Sequence, residues 1–263
     1  EIAELGVRKF YEGKIADRIV KHIEENGGIL SKDDLASYQA RLVDPIHSIC
    51  MEYDVYSPPL CSAGVSLVQM CALADEAGLD IFERDAPKLA HGMIEMIRAS
   101  WMDRYRHFGD PQKIKVPMDT LMSDIHLGAT SREINKHIEE GTRGQALLRP
   151  MYTGGTTHIS VVDAQRNMAS LTLTHGPSFG SFVTIPRMGL LMNGGMSRFD
   201  PGSGLKNSVD GGKAPITNMC PTVILREDQP FMSIGASGGT RIPSSMFQVL
   251  ARRMVLEEDT EWS

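Results

Sequence analysis

The alternation of apolar and polar residues between Thr156 and Thr174 predicts a β-hairpin. Within residues 158–162 and 168–174 an apolar side chain recurs at every second position, which is the period of a half-buried strand. Residues 163–167 are polar and of suitable length for the connecting turn. If the two strands pair antiparallel about this turn, Thr156 and Thr174 lie close together at the open end of the hairpin.

Helical spacing of apolar residues dominates the first 140 residues. It predicts helices over residues 7–23, 63–77 and 87–107, and two shorter helices within residues 118–140. A further short helix is expected after Ser31, whose hydroxyl is suited to cap a first turn that carries Asp33 and Asp34.

Short strands are predicted elsewhere in the chain. They cover residues 51–56, a pair within 182–191 that is broken at Pro186, and a hairpin of 221–225 with 231–234. Residues 200–212 are rich in Gly, Pro and Asn and predict a surface loop, and residues 243–255 predict a final helix. Helices together with antiparallel strands indicate the α+β class.

Composition narrows the class of protein. The 263 residues are 41% hydrophobic, which suffices for a sizeable core in one large domain or two small ones. A net charge of -6 offers no basic surface for nucleic acid, so nucleic acid is not an expected partner. No apolar run approaches the length of a membrane span.

The four cysteines do not suggest a metal site or a disulfide framework. Cys50, Cys61, Cys71 and Cys220 lack the paired spacing of zinc ligands, and their scatter is typical of buried free thiols. This pattern favours a reducing, cytoplasmic compartment. The chain contains no P-loop and no Gly-x-Gly-x-x-Gly fingerprint, and we expect neither a metal ion nor an organic cofactor.

Thr156 has the surroundings of a self-activated nucleophile. A threonine hydroxyl needs an adjacent base, and one solution is to free the threonine as a chain terminus so that its own α-amine accepts the proton. Such an amine titrates at about 7.7 to 8.0, close to working pH. The small residues Thr153, Gly154 and Gly155 precede Thr156, as backbone self-cleavage requires.

The residues from Gly155 read Gly-Thr-Thr-His-Ile-Ser-Val-Val-Asp. This order resembles the start of the small subunit of the γ-glutamyltransferase (γ-glutamyltranspeptidase) family of N-terminal nucleophile hydrolases. Further segments follow the family's order, namely Phe10-Tyr11, Asn26-Gly27-Gly28, Phe179-Gly180, 189–193, 221–223 and 235–242.

The resemblance implies a four-layer αββα sandwich, here as a partial chain. It implies a precursor that cuts itself between Gly155 and Thr156. Residues 1–155 would then be the C-terminal, mostly helical part of the large subunit, and residues 156–263 the N-terminal part of the small subunit with the catalytic hairpin. Association of the processed chains into a higher homo-oligomer stays open.

The resemblance also assigns roles at the reacting centre. It implies that Thr156 is the nucleophile and that Thr174 supplies a neighbouring hydroxyl. It further implies that the backbone N–H groups of Gly238 and Gly239 form the oxyanion hole. Two consecutive glycines suit that task because no Cβ prevents their amides from turning toward one point.

The chain departs from the family where a substrate amine is bound. The amide or acidic residue that normally follows the second threonine is Gly176, and two positions that normally accept the α-amine are Gly195 and Arg198. An arginine repels an ammonium group. The pair that binds the α-carboxylate is Thr217-Asn218, which still supplies hydrogen-bond donors. Alternatively, Arg198 simply lies on the surface.

We therefore expect a self-processing threonine amidohydrolase or acyltransferase. Its small-molecule substrate is a γ-glutamyl or related dicarboxylic acyl amide, and the acyl group passes through Thr156 to water or an amine. Two alternatives stay open. One is a glutaryl or oxamate-type acylase without α-amine recognition, and the other is an uncleaved scaffold or binding protein.

Two neighbouring polar residues are assigned structural roles. His158 lies on the opposite strand face from Thr157 and is expected to support the hairpin rather than to act as a catalytic base. Asp103 and Arg104 are expected to form an ion pair with each other.

Overall fold

A computed structural model describes residues 2–79, 86–146 and 154–255 of the chain. The α-helices are α1 (Ile2–Leu5), α2 (Arg8–Tyr11), α3 (Lys14–Glu25), α4 (Lys32–Ser37), α5 (Gly64–Glu76), α6 (Ala86–His107), α7 (Met118–Leu121), α8 (Asp124–Glu140) and α9 (Ile242–Leu250). Two 3₁₀ turns cover Gly195–Arg198 and Gly239–Arg241, and a π turn, Ala251–Val255, follows α9.

The strands pair antiparallel throughout. They are β1 (Ile46–Cys50), β2 (Tyr53–Ser57), β3 (Thr156–Val162), β4 (Met168–Thr174), β5 (Thr184–Ile185), β6 (Leu190–Leu191), β7 (Thr222–Arg226) and β8 (Gln229–Ile234). A four-stranded sheet has the order β1-β2-β7-β8, while β3 pairs with β4 and β5 pairs with β6.

The chain divides into two compact units. The first contains residues 1–43 and 180–192, and the second contains residues 44–179 and 193–263. In the first unit the predicted helix over residues 7–23 is interrupted at Gly13, whose φ of 81° is not helical. The predicted cap is confirmed, since the Ser31 hydroxyl accepts from the Asp34 N–H and the Asp34 carboxylate accepts from the Ser31 N–H.

The core of the second unit lies between the four-stranded sheet and α5, α6 and α9. Helix α5 is buried along almost its whole length, so its apolar residues do not form a single stripe. Gly64 at its start packs directly on the preceding loop, because a Cβ there would lie 2.1 Å from the Pro58 carbonyl oxygen. The β2 residue Val55 and the β7 residue Ile224 form a directly opposed pair and are both fully buried.

The predicted hairpin is present in the predicted register. Thr156 stands opposite Thr174, and Val162 stands opposite Met168. The turn is closed by the Asp163 carboxylate, which accepts from the Asn167 N–H at 2.8 Å. The hydrogen bonds with Asn167 hold the pKa of the Asp163 carboxyl below its ordinary value.

The polar face of the hairpin is its inner face. Ser160 donates to the Ser233 carbonyl at 3.0 Å, and Ser170 donates to the Ile234 carbonyl at 3.1 Å, so this face lies against β8. The apolar face is exposed among the described residues, with Leu171 48% and Leu173 56% accessible. The hydroxyls of Thr156 and Thr174 therefore point into the second unit.

Four further elements differ from the predictions. Strand β1 was not predicted, β5 and β6 are only two residues long each, and α9 gives way to a π turn after Leu250. Thr153 and the C-terminal residues 257–263 lie outside the described residues. No helix in the described ranges is long and apolar enough to cross a membrane.

Candidate active site

Thr156 lines a cavity of about 180 Å³ in the second unit, called here the Thr156 cavity. Its wall brings together seven of the eight residues that the sequence singles out for catalysis and substrate binding, namely Thr156, Thr174, Gly195, Arg198, Thr217, Asn218 and Gly239. The eighth, Gly238, immediately precedes Gly239. These residues come from the hairpin, the Gly195–Arg198 turn, the segment before β7 and the Gly239–Arg241 turn that precedes α9.

The Thr156 hydroxyl is oriented by that of Thr174. Thr156 Oγ1 donates to Thr174 Oγ1 at 3.0 Å. The Thr174 oxygen also accepts from the Gly176 N–H at 3.0 Å and donates to the Gly155 carbonyl at 3.5 Å. This relay exists because the hairpin register places the two threonines directly opposite each other.

The predicted cleavage position lies within the same hydrogen-bond network. Gly155 donates its N–H to the Gly176 carbonyl at 3.0 Å. Its carbonyl oxygen accepts both the Thr174 hydroxyl and, at 3.5 Å, the His175 N–H. The peptide group that precedes Thr156 is therefore held next to the hydroxyl that is expected to attack it.

Gly238 and Gly239 adopt backbone conformations that favour glycine. Their φ angles are 129° and 65°, in the left-handed region that side chains with a Cβ rarely enter. Within the described part of the chain, neither N–H donates to a protein acceptor. The Gly239 backbone is buried in the wall of the Thr156 cavity, where a donor for a developing oxyanion is needed.

Thr217 and Asn218 are held by a buried arginine on α6. Arg104 is 1% exposed, and its Nη2 donates to the Thr217 carbonyl at 2.6 Å and to Asn218 Oδ1 at 3.2 Å. Because Asn218 Oδ1 accepts from Arg104, its NH2 group stays available as a donor. Thr217 Oγ1 is buried without a hydrogen-bond partner in the described residues.

The predicted ion pair between Asp103 and Arg104 is not formed. Asp103 instead accepts from Gln69 at 2.8 Å and lies 2.7 Å from His126 Nε2. Successive helix residues point about 100° apart around the axis, so the two side chains reach different partners. Burial lowers the pKa of Arg104 to about 10, which leaves the guanidinium charged at neutral pH. Sequence reasoning therefore missed the role of Arg104 in holding the site.

Arg198 lies in the wall of the Thr156 cavity and is half-buried. Its Nη2 would lie 3.2 Å from a Cβ on Gly154, and Thr156 Oγ1 would lie 3.3 Å from the same point. The arginine head and the threonine hydroxyl therefore flank the same small space. Asn207 fixes the Arg198 backbone by donating to its carbonyl at 2.8 Å.

The Gly176 backbone packs closely against Gly194. Gly176 has a φ of 87°, and a Cβ there would lie 3.1 Å from the Gly194 carbonyl. The Gly194 N–H in turn donates to the His175 carbonyl at 2.6 Å. Gly176, Gly194 and Gly195 thus lie together in one closely packed wall, called here the remodelled wall. A substitution at one of these positions therefore affects the others.

No aspartate or glutamate lines the Thr156 cavity among the described residues. Of the described residues that line it, Arg198 is the one with a permanently charged side chain. The described ranges contain no group of three or more His, Cys, Asp or Glu side chains arranged to hold a metal ion. The electrostatics of this cavity favour a carboxylate over an ammonium group.

His158 supports the hairpin. Its Nδ1 lies 2.9 Å from Thr172 Oγ1 and its Nε2 lies 3.0 Å from Ser160 Oγ. The ring fills the space that a Cβ on Gly235 would need, since that Cβ would lie 2.2 Å from it. Burial lowers the pKa of His158, which favours the neutral ring.

Comparisons with known proteins identify the family of the chain. The model of the family described as Gamma-glutamyltranspeptidase matches residues 1–262. The chain is 31% identical over 262 residues to the glutathione hydrolase proenzyme of Escherichia coli (strain K12), which covers 95% of this chain and 45% of that protein. It is 30% identical over 265 residues to the acylase ACY 1 proenzyme of Pseudomonas sp. (strain SE83), covering 99% of this chain and 47% of that protein.

Solved structures confirm the predicted fold. Cephalosporin acylase from Bacillus halodurans superposes with a TM-score of 0.84 at 24% identity, covering 98% of this chain and 46% of that one. The mixed helix and sheet architecture is thus the fold of that acylase. The chain spans about half the length of the relatives that it matches.

Proposed function

Because the chain belongs to the gamma-glutamyltranspeptidase family, we propose that it is the catalytic part of a self-processing threonine amidohydrolase. Its preferred acyl donor is a dicarboxylic monoamide, such as a glutaryl amide, that carries no free α-amine. One observation carries this proposal: Thr156 and Arg198 line the same cavity, and no described carboxylate does.

Self-cleavage activates the nucleophile. Thr156 Oγ1 attacks the Gly155 carbonyl carbon, the peptide C–N bond breaks, and the nitrogen takes a proton to become a free α-amine. The hydrogen bond from Thr174 to the Gly155 carbonyl supports this step, because it stabilises charge that develops on that oxygen. Water then hydrolyses the resulting ester, which separates residues 1–155 from residues 156–263.

The freed threonine then acts on the substrate amide. Thr156 Oγ1 attacks the acyl carbonyl while its own α-amine accepts the hydroxyl proton. The N–H groups of Gly238 and Gly239 hold the oxyanion, and the α-ammonium returns the proton to the departing amine. Water or an acceptor amine attacks the acyl-threonine and releases the acyl group.

The far end of the acyl group is held by Arg198, Thr217 and Asn218. A carboxylate accepts from the guanidinium of Arg198, the hydroxyl of Thr217 and the NH2 group of Asn218. The buried, unpartnered Thr217 hydroxyl supports this assignment, since burying such a group without a partner costs free energy. Among the described residues, this part of the wall offers an α-ammonium group no carboxylate as a partner.

The nucleophile is tested by mass spectrometry of the full-length protein. Incubation is expected to produce a fragment that begins at Thr156, and Thr156→Ala should abolish both cleavage and amidase activity. Thr157→Ala is the matched control, because Thr157 is exposed on the opposite strand face. A chain that stays intact while remaining folded would favour the non-catalytic scaffold instead.

The acyl donor is tested with paired p-nitroanilides. Glutaryl p-nitroanilide is expected to be cleaved with a kcat/KM at least about tenfold above that of γ-glutamyl p-nitroanilide, because only the second brings an ammonium group near Arg198. Equal or greater turnover of the γ-glutamyl compound would contradict the proposed preference while leaving the threonine mechanism intact.

A further inference from the structure

A second cavity adjoins the Thr156 cavity and is called here the distal cavity. Its volume is about 330 Å³, and it shares Arg198 and Asn218 with the Thr156 cavity. Neither Thr156 nor Gly239 contributes to its wall. The distal cavity therefore opens beside the residues proposed to hold the far end of the acyl group, away from the reacting hydroxyl.

The wall of the distal cavity is mostly apolar. Aromatic and aliphatic side chains form it, namely Trp101, Tyr105, Phe199, Leu205 and Ile216. An apolar cavity of about 150 Å³ is large enough to bind benzene. The distal cavity therefore has room for a phenyl ring together with a short linker.

The polar groups of the distal cavity suit an uncharged linker. Thr240 Oγ1 is buried in its wall and has no hydrogen-bond partner in the described residues. Asn218, at the junction with the Thr156 cavity, presents NH2 donors because Arg104 occupies its Oδ1. A secondary amide supplies both the acceptor and the donor that these groups require. The charged residues that line the distal cavity are two arginines, Arg104 and Arg198, and one aspartate, Asp200.

We propose that the distal cavity binds an aromatic or similarly bulky apolar group carried by the acyl donor. This group is attached, through an amide, to the carbon next to the donor's free carboxylate. The substrate class is thus an N-acylated γ-glutamyl amide, in which the α-nitrogen is neutral and carries an arylacyl group. The inference rests on the proposed function, because it places the dicarboxylic chain of the donor in the Thr156 cavity.

Four p-nitroanilides with the same five-carbon diacid chain test the proposal on the full-length, processed protein. They are the glutaryl, γ-glutamyl, N-acetyl-γ-glutamyl and N-phenylacetyl-γ-glutamyl compounds. The N-phenylacetyl compound is expected to exceed the N-acetyl compound in kcat/KM by about tenfold or more, because only it buries a ring in the distal cavity. Neither of these two compounds carries the ammonium charge, so the ratio of their kcat/KM values reports the effect of the phenyl ring. A ratio near one overturns the proposal.

Filling the distal cavity should remove this preference. Leu205→Trp is expected to bring the ratio of N-phenylacetyl to N-acetyl turnover close to one. Val209→Trp is the control, because Val209 lies four residues along the same loop, is 58% exposed and does not line the cavity. An unchanged ratio in Leu205→Trp, or the same loss in Val209→Trp, contradicts the assignment.

Calorimetry separates this inference from the proposed function. Full-length Thr156→Ala is expected to bind N-phenylacetylglutamate at least about tenfold more tightly than N-acetylglutamate. Equal affinity overturns the distal-cavity proposal whatever the catalytic result. If none of the anilides is cleaved, the proposed function fails, and the calorimetric comparison still decides whether the cavity binds the aromatic group.

Discussion

At the residue scale, the chemistry of the site depends on a few hydrogen bonds around one hydroxyl. Thr174 has the most demanding position, because its oxygen contacts Thr156, the Gly155 carbonyl and the Gly176 N–H. Among the described residues of the hairpin, Thr174 supplies the hydroxyl that is hydrogen-bonded to Thr156 Oγ1. The orientation of the proposed nucleophile therefore depends on Thr174.

Substitutions at Thr174 should separate its hydroxyl from its methyl group. Thr174→Ala is expected to slow self-cleavage and amide turnover by about tenfold or more, since one hydrogen bond to the reacting group is lost. Thr174→Ser keeps the hydroxyl and should restore most of the rate. Cleavage is followed by mass spectrometry and turnover by release of p-nitroaniline; equal rates for the Ala and Ser variants would show that the hydroxyl has no such role.

At the element scale, the substrate specificity proposed for the Thr156 cavity depends on how two segments pack in the remodelled wall, and not on single residues. The contact of Gly176 with Gly194 brings the end of β4 against the residue that precedes the Gly195–Arg198 turn. A side chain at position 176 would be strained by the positive φ and would press on the Gly194 backbone, which lies 3.1 Å from the Cβ position. The residue at position 176 is therefore coupled to the path of a second loop.

An amide side chain at position 176 should not by itself enable the protein to recognise the α-amine of a γ-glutamyl substrate. Gly176→Asn is expected to lower the free energy of unfolding by about 1–3 kcal/mol, because it adds a Cβ at a positive φ against the Gly194 backbone. It should also lower glutaryl turnover without raising γ-glutamyl turnover. Denaturant unfolding and the paired anilides measure these effects.

Gly204→Asn is the matched control for this substitution. Gly204 has a φ of 78°, close to the 87° of Gly176, but a Cβ there has no neighbour within 4 Å. Its cost in stability should therefore be the smaller of the two. A gain of γ-glutamyl turnover in Gly176→Asn would show that the wall adapts to the side chain and that the coupling is wrong.

At the scale of the whole molecule, both compact units are built from both predicted fragments. Strand β2 precedes the proposed cleavage position and pairs along its length with β7, which follows it. Residues 1–43 form a unit with residues 180–192, where Arg18 donates to the Pro186 carbonyl at 2.9 Å. Cleavage before Thr156 breaks none of these contacts.

The two fragments should therefore stay together after cleavage. Processed protein is expected to elute as one species in size-exclusion chromatography under native conditions and to separate into two chains only in denaturant. The physical reason is the shared core, in which Val55 and Leu67 of one fragment pack with Ile224 and Phe247 of the other. Separation of the fragments in native buffer would contradict this account.

Local pattern determined the hairpin, its register and the cap at Ser31. These features depend on residues close together in sequence, where strand period, turn composition and capping chemistry act directly. The family resemblance added the identity of Thr156, Thr174, Gly238 and Gly239 as candidates. It also located the departures at Gly176, Gly195 and Arg198.

Only the tertiary structure decided which groups meet. The partner of Arg104, the inward direction of the polar hairpin face and the packing of Gly176 on Gly194 all depend on contacts between distant segments. The same holds for the distal cavity, whose wall combines α6 with loops about a hundred residues away. Sequence period specifies which side chains share a face, whereas long-range packing decides what that face contacts.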